Sequence, residues 1–148
     1  MTHVQSIVWR GLAMALIVLG GCSSALFVSE SAALDENASR PYPAEMEKQP
    51  SLPIQVLRDV TKIRLTNTTA RSFGPSTMWL NGRYSREIEG LGIGETLTLD
   101  VGDFTDEFGA RFRGGGFFAT VNPDPLVMAE IETDGQMFGL VVVGKLYE

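Results

Sequence analysis

Two dipeptides, Asn81-Gly82 and Asp134-Gly135, constrain the fold of this chain more than any other feature. Each tolerates positive φ at two successive positions, and each is flanked by short runs of strand-forming residues. That combination predicts two β-hairpins with two-residue loops. The first joins residues 77–80 to 83–88 and the second joins 126–133 to 136–143. Lys62-Ile63-Arg64-Leu65-Thr66 alternates polar with apolar and runs into the turn-forming Asn67-Thr68-Thr69. Thr96-Leu97-Thr98-Leu99-Asp100-Val101 alternates again, placing Leu97, Leu99 and Val101 on one face. Residues 117–121, after the break Gly114-Gly115-Gly116, read as a further strand, and 54–60 as either a first strand or one helical turn. No window of ten or more residues carries a sustained helical stripe. The pattern predicts an all-β fold: a single immunoglobulin-like β-sandwich of about seven short antiparallel strands, with a small barrel as the competing architecture. Leu140-Val141-Val142-Val143, apolar on both faces, is expected to be central or covered on both sides.

The amino terminus is of a different kind. Residues 1–10 hold His3 and Arg10 and no acidic residue, and 11–19 are almost wholly aliphatic. That run reaches only the short end of a secretory apolar segment, well below the roughly 20 residues a spanning helix needs. It ends in Leu19-Gly20-Gly21-Cys22, and Cys22 is the only cysteine in the chain. An aliphatic residue, two small residues and a cysteine in this context resemble the lipobox of bacterial lipoprotein signals. The alternative is an uncleaved anchor with a free thiol. The resemblance implies removal of residues 1–21 and a diacylglyceryl thioether on Cys22, often with an acyl group (palmitate, for example) on the new amino terminus. Each buried methylene contributes about 0.8 kcal/mol, so two or more chains anchor stably. The implied place is the cell envelope, with the membrane as partner through Cys22. In a cell with two membranes, Ser23 rather than Asp after the cysteine favours the outer one.

Residues 22–52 are rich in Ser, Ala, Glu and Pro, with Pro41, Pro43 and Pro50 and no sustained apolar period. Such a composition buries too little surface to offset its ordering entropy, and predicts a flexible lipidated stalk. Residues 53–148 then form one β domain with a single modest core.

From Ile63 to Tyr147 the chain is similar to a group of small, uncharacterised bacterial secreted domains. The likeness rests on Leu80-Asn81-Gly82-Arg83-Tyr84, on Gly94-Glu95-Thr96 leading into an alternating strand, and on Phe104-Thr105-Asp106 with Gly109 and Arg111-Phe112. Gly114-Gly115-Gly116 departs from the polar or proline-containing loops such domains carry. The resemblance implies a sandwich fold and no established activity, so no functional residue is carried over.

The residue inventory narrows the chemistry. His3 is the only histidine and lies in the signal, and Cys22 would be acylated. A mature chain with neither imidazole nor free thiol cannot host a His-based triad, a cysteine nucleophile or a typical zinc site. The expectation is therefore a non-enzymatic module without cofactor. A net charge of −6 with no basic stripe argues against nucleic acid. Asp100, Asp103 and Asp106, with Glu107, are dense enough to suggest calcium but lack EF-hand spacing, so a polar turn is the simpler reading, with Asp106 capping amides or pairing with Arg111. A paired-carboxylate glycosidase would need a cleft that a small sandwich rarely has. Trp79 is expected in the core. Phe117 and Phe118, read as neighbours on a strand, face opposite ways, so one of them is expected at the surface as a contact for a glycan or an envelope protein. The function expected is a lipid-anchored interaction or accessory module, with ligand binding, of glycan or calcium, as the alternative.

Overall fold

The structure, a computed structural model, describes residues 38–144; the signal, Cys22 and most of the expected stalk lie outside them. Among the described residues there are eight strands: β1 Lys48–Gln49, β2 Gln55–Asp59, β3 Lys62–Thr66, β4 Ser76–Leu80, β5 Tyr84–Ile88, β6 Thr96–Asp100, β7 Ala129–Thr133 and β8 Gln136–Val143. A 3₁₀ turn, Val101–Asp103, follows β6. The all-β expectation holds among the described residues.

The strands lie in one curled, mixed sheet, a half-barrel, in the order β5-β4-β7-β8-β2-β3-β6. This corrects the sandwich expected from sequence, and the reason lies in β8. Its first five residues pair antiparallel with β7, while Val141, Val142 and Val143 pair with β2. One long strand thus joins what would otherwise be two stacked sheets. Two pairings, β1 with β8 and β2 with β8, are parallel, where only antiparallel ones were expected. The run 140–143 is central in the order, as its composition demands, yet Val141 is 44% exposed, so it is not covered on both sides.

Alternation delivers the core into the concavity. Ile63 and Leu65 of β3, Val56 of β2, Met78 and Leu80 of β4 and Ile131 of β7 are fully buried and pack with Phe104 and Phe112. Burying each such side chain contributes about 1.5–3 kcal/mol. Tyr84 meets Phe112 edge-on, with ring centroids 5.2 Å apart.

Residues 39–52, expected to belong to the tether, are instead fastened to the sheet. Ser39 donates its backbone N–H to Asp106 O at 2.9 Å and its hydroxyl to Thr105 O at 2.7 Å. Farther along, β1 runs beside β8, Leu52 N–H bonds to Gly139 O, and β2 continues along the same edge. Partners shift from Lys48↔Met137 to Gln55↔Val141, so three extra residues are accommodated in a jog where Pro50 and Pro53 offer no N–H. The packed body therefore begins by Ser39, not at Pro53.

Two further boundaries differ. Residues 117–121 form no strand, because Gly115 and Gly116 take φ of +81° and +125° and the backbone turns instead. In the first hairpin Asn81 and Gly82 adopt positive φ as expected, at 54° and 61°, but Leu80 pairs with Tyr84 and leaves three residues in the loop. Asp134-Gly135 closes the expected two-residue loop between Thr133 and Gln136, with φ of 51° and 72°.

Candidate functional site

The outer face of β4 and β7 carries residues that alternation sends away from the core: Trp79, Glu130 and Glu132. Trp79 is fully buried, though outside the core where it was expected. It lies under residues 40–42, with the Tyr42 ring edge-on at 5.3 Å and the Arg40 guanidinium 5.1 Å from its ring centre. Its indole N–H donates to Glu132 at 2.9 Å, and Arg40 also donates to Glu132. Buried Glu130 accepts from the Tyr42 hydroxyl at 2.7 Å and from Lys48 at 2.8 Å. Hydrogen bonding to Glu130 and Tyr42 raises the Lys48 ammonium above its ordinary value, and burial raises the Tyr42 phenol. This network fastens the amino-terminal strap. Its sequence signal was two glutamates at alternate positions of an otherwise apolar strand, opposite Arg40 and Lys48 in a segment read as tether.

The acidic loop resolves into three separate tasks. Asp100 accepts from Gly102 N–H at 2.9 Å, and Asp103 pairs with Arg86 at 2.7 Å. Asp106 is buried and accepts from Phe108 N–H at 3.0 Å, Ala110 N–H at 2.8 Å and the Arg83 guanidinium at 2.9 and 2.5 Å. Burial pushes its carboxyl up, but Arg83 and the two amides outweigh that and hold it below the usual range. The amide caps follow the turn reading, while the cation is Arg83 rather than Arg111. The three carboxylates share no centre, and among the described residues no group of three or more acidic, histidine or cysteine side chains could hold a metal.

Phe117 and Phe118 are both exposed, at 95% and 90%, where only one was expected. They form the corner of a turn in which Ala119 N–H bonds to Gly116 O, so the opposite-facing rule of strands does not apply. Their rings meet edge-on, 4.9 Å between centroids and 89° between planes. The base of this loop is clamped. Arg113 and Asp124 join through the guanidinium at 3.0 and 2.5 Å, through Arg113 N–H to the carboxylate, and through Asp124 N–H to Arg113 O. The Arg113 guanidinium, against some burial, holds the Asp124 carboxyl below its ordinary range. Arg58 on β2 donates to the carbonyls of Asp124 and Gly114, bracing both ends of the loop from below. Gly114 is required here: a Cβ would stand 2.8 Å from Val101 and 3.2 Å from the Thr61 backbone. Arg58, Arg113 and Asp124 carried no local signal, since partners 11 or more residues apart leave no periodic trace. Beneath the loop lies a cleft of about 650 Å³, bordered by Arg58, Val60, Pro123 and Val142.

Comparison with protein-family models, with curated proteins and with solved structures finds no match for this chain.

Proposed function

We propose that the protein is a lipid-anchored, non-enzymatic interaction or accessory module of the cell envelope, holding a protein partner through Phe117 and Phe118. The observation that carries this reading is the aromatic tip: two adjacent phenylalanines, each at least 90% exposed, on a loop whose base is fixed by Arg113, Asp124 and Arg58. Leaving two large apolar rings in water costs about 1.5–3 kcal/mol each relative to burial, and a clamped loop loses little entropy when they are covered. Rings crossed at 89° make a wedge rather than the flat platform a sugar ring stacks on, which favours a protein pocket over a glycan. The lipobox-like Leu19-Gly20-Gly21-Cys22 supports membrane attachment, which would bring the tip to the envelope. The non-enzymatic reading rests on the lack of imidazole and free thiol in a processed chain.

The test is photocrosslinking in cells from a benzophenone amino acid at position 117. A discrete protein adduct is expected, lost on Phe118→Ser, with the melting temperature unchanged because neither ring is buried. In parallel, Cys22→Ala should release the protein from the membrane or leave an uncut precursor. Crosslinks to lipid alone, or an adduct indifferent to Phe118→Ser, would refute the partner assignment.

A further inference from the structure

A half-barrel has two ends, and here both border one cleft. Edge strands β5 and β6 line a groove of about 630 Å³, with Ile88, Leu97 and Leu99 at its apolar floor and Glu87, Glu89 and Glu95 along it. On β5, Ser85 exchanges two backbone hydrogen bonds with Thr105, at 2.8 and 3.1 Å, on the side away from β4. The two-residue period then sends the N–H and C=O of Glu87 to that same outer side. On β6, the Glu95 carbonyl accepts from Asn67 N–H, so Leu97 and Leu99 bond toward β3 while Thr96 and Thr98 face outward. Among the described residues no strand pairs with either outer edge beyond the Ser85–Thr105 bridge.

We propose that this groove receives an extended segment of a partner protein in which Lys or Arg alternates with apolar residues, added as a strand to the open edge. Unpaired strand edges recognise extended backbone, and alternate side chains of the incoming strand then face floor and rim. The rim sets the charge. Glu87, Glu89 and Glu95 are exposed and form no ion pair among the described residues, whereas the neighbouring cation, Arg86, is held by Asp103. A second copy would bring the same acidic edge, and the chain's own amino-terminal segment carries Glu30, Asp35 and Glu36. Like charge disfavours both occupants. This groove is separate from the aromatic tip, and its occupancy does not depend on what the tip binds.

The test uses the full chain and three blocked octapeptides: alternating Lys and Val, alternating Glu and Val, and the Lys–Val peptide N-methylated at every second residue. The expected result is saturable binding of the Lys–Val peptide, weakened by salt, with slowed amide exchange at Glu87 or Thr98. Glu87→Lys with Glu89→Lys should weaken it about tenfold or more, as should N-methylation, which removes the backbone donors of one peptide edge. Both substitutions alter exposed side chains, so the double variant should fold normally, as the melting temperature will show. No binding at millimolar peptide, equal binding of the N-methylated peptide, or exchange protection elsewhere would overturn the proposal, leaving the glutamates as charges that merely blunt an edge. Concentration-dependent dimers that mask the same amides would overturn it in favour of self-pairing.

Discussion

A Cβ on Gly139 would stand 2.6 Å from the hydroxyl oxygen of Ser51, so the strap crosses β8 where any other residue would project a side chain. The next atom of Ser51, its Cβ, lies at 3.5 Å, and the hydroxyl can rotate away. Gly139→Ala should therefore cost little, about 1 kcal/mol or less, whereas the two γ-methyls of Gly139→Val have nowhere to go. The valine variant should lift residues 39–52 and expose Trp79, lowering the melting temperature by several degrees. Limited proteolysis checks it: cleavage within the strap should be slow in wild type and Gly139→Ala and fast in Gly139→Val.

The Arg83–Asp106 contact makes stability depend on acid. Asp106 is held below the ordinary carboxyl range, so it binds a proton less readily folded than unfolded, where its pKa is about 3.9. Its contribution is complete above that value and disappears as pH falls through the folded one. Asp106→Asn presents an NH₂ group to the guanidinium or removes an acceptor from the two amides. The expected loss near neutrality is about 1–3 kcal/mol, moderated because the Arg83 side chain is half exposed. Denaturant melts of wild type and variant should differ near pH 7, and the difference should shrink as pH falls through and below the ordinary carboxyl range. A difference independent of pH would mean that shape, not charge, is what the site requires.

Gly82 and Gly135 separate two costs that usually come together. Both have positive φ, so alanine pays about 1–2 kcal/mol at either. At Gly135 nothing lies within 4 Å of the added carbon, but at Gly82 it meets the Met128 methyl at 3.0 Å and the Tyr42 ring at 3.6 Å. Gly82→Ala should thus be the more destabilising in thermal melts, and the excess should shrink in Gly82→Ala combined with Met128→Ala. Equal losses would mean that the methionine tip moves without cost.

These contrasts mark how far the sequence could be read. Ile63 and Leu65, or the turns at Asn81 and Asp134, follow from local periodicity and backbone chemistry, so the strands that contain them were legible. The curl was not, because it depends on β8 changing partners between Leu140 and Val141, a tertiary choice with no local mark. Nor was the strap: its proline-rich composition cannot pack on its own, and it is held by Glu130 and Glu132, more than 80 residues away. For the aromatic tip the residues were legible and their geometry was not. Reading residues 117–121 as a strand buried one ring, whereas the glycines before it turn both outward.

Among the described residues, Val60 is the one β-branched side chain held at positive φ. It opens the two-residue connection between Asp59 and Lys62 at φ of +50°, a region that a β-branched side chain enters at a cost of about 1–3 kcal/mol. Half of its surface is exposed, so little burial offsets that strain. Its carbonyl accepts from Arg58 Nε at 3.2 Å, a bond that any replacement retains. Val60→Asn keeps a side chain that tolerates left-handed backbone, while Val60→Gly relieves the strain but adds about 0.5–1 kcal/mol of unfolded-chain entropy. Both should raise the melting temperature, asparagine more than glycine, by a few degrees for a domain of this size. Because Val60 borders the cleft below the aromatic loop, the same variants report on that cleft. If stability rises while crosslinking from position 117 persists, the strain is incidental to the tip. A fall in stability would mean that the valine methyls are needed against the walls of the cleft, and that the strained backbone is held in place by what it packs against.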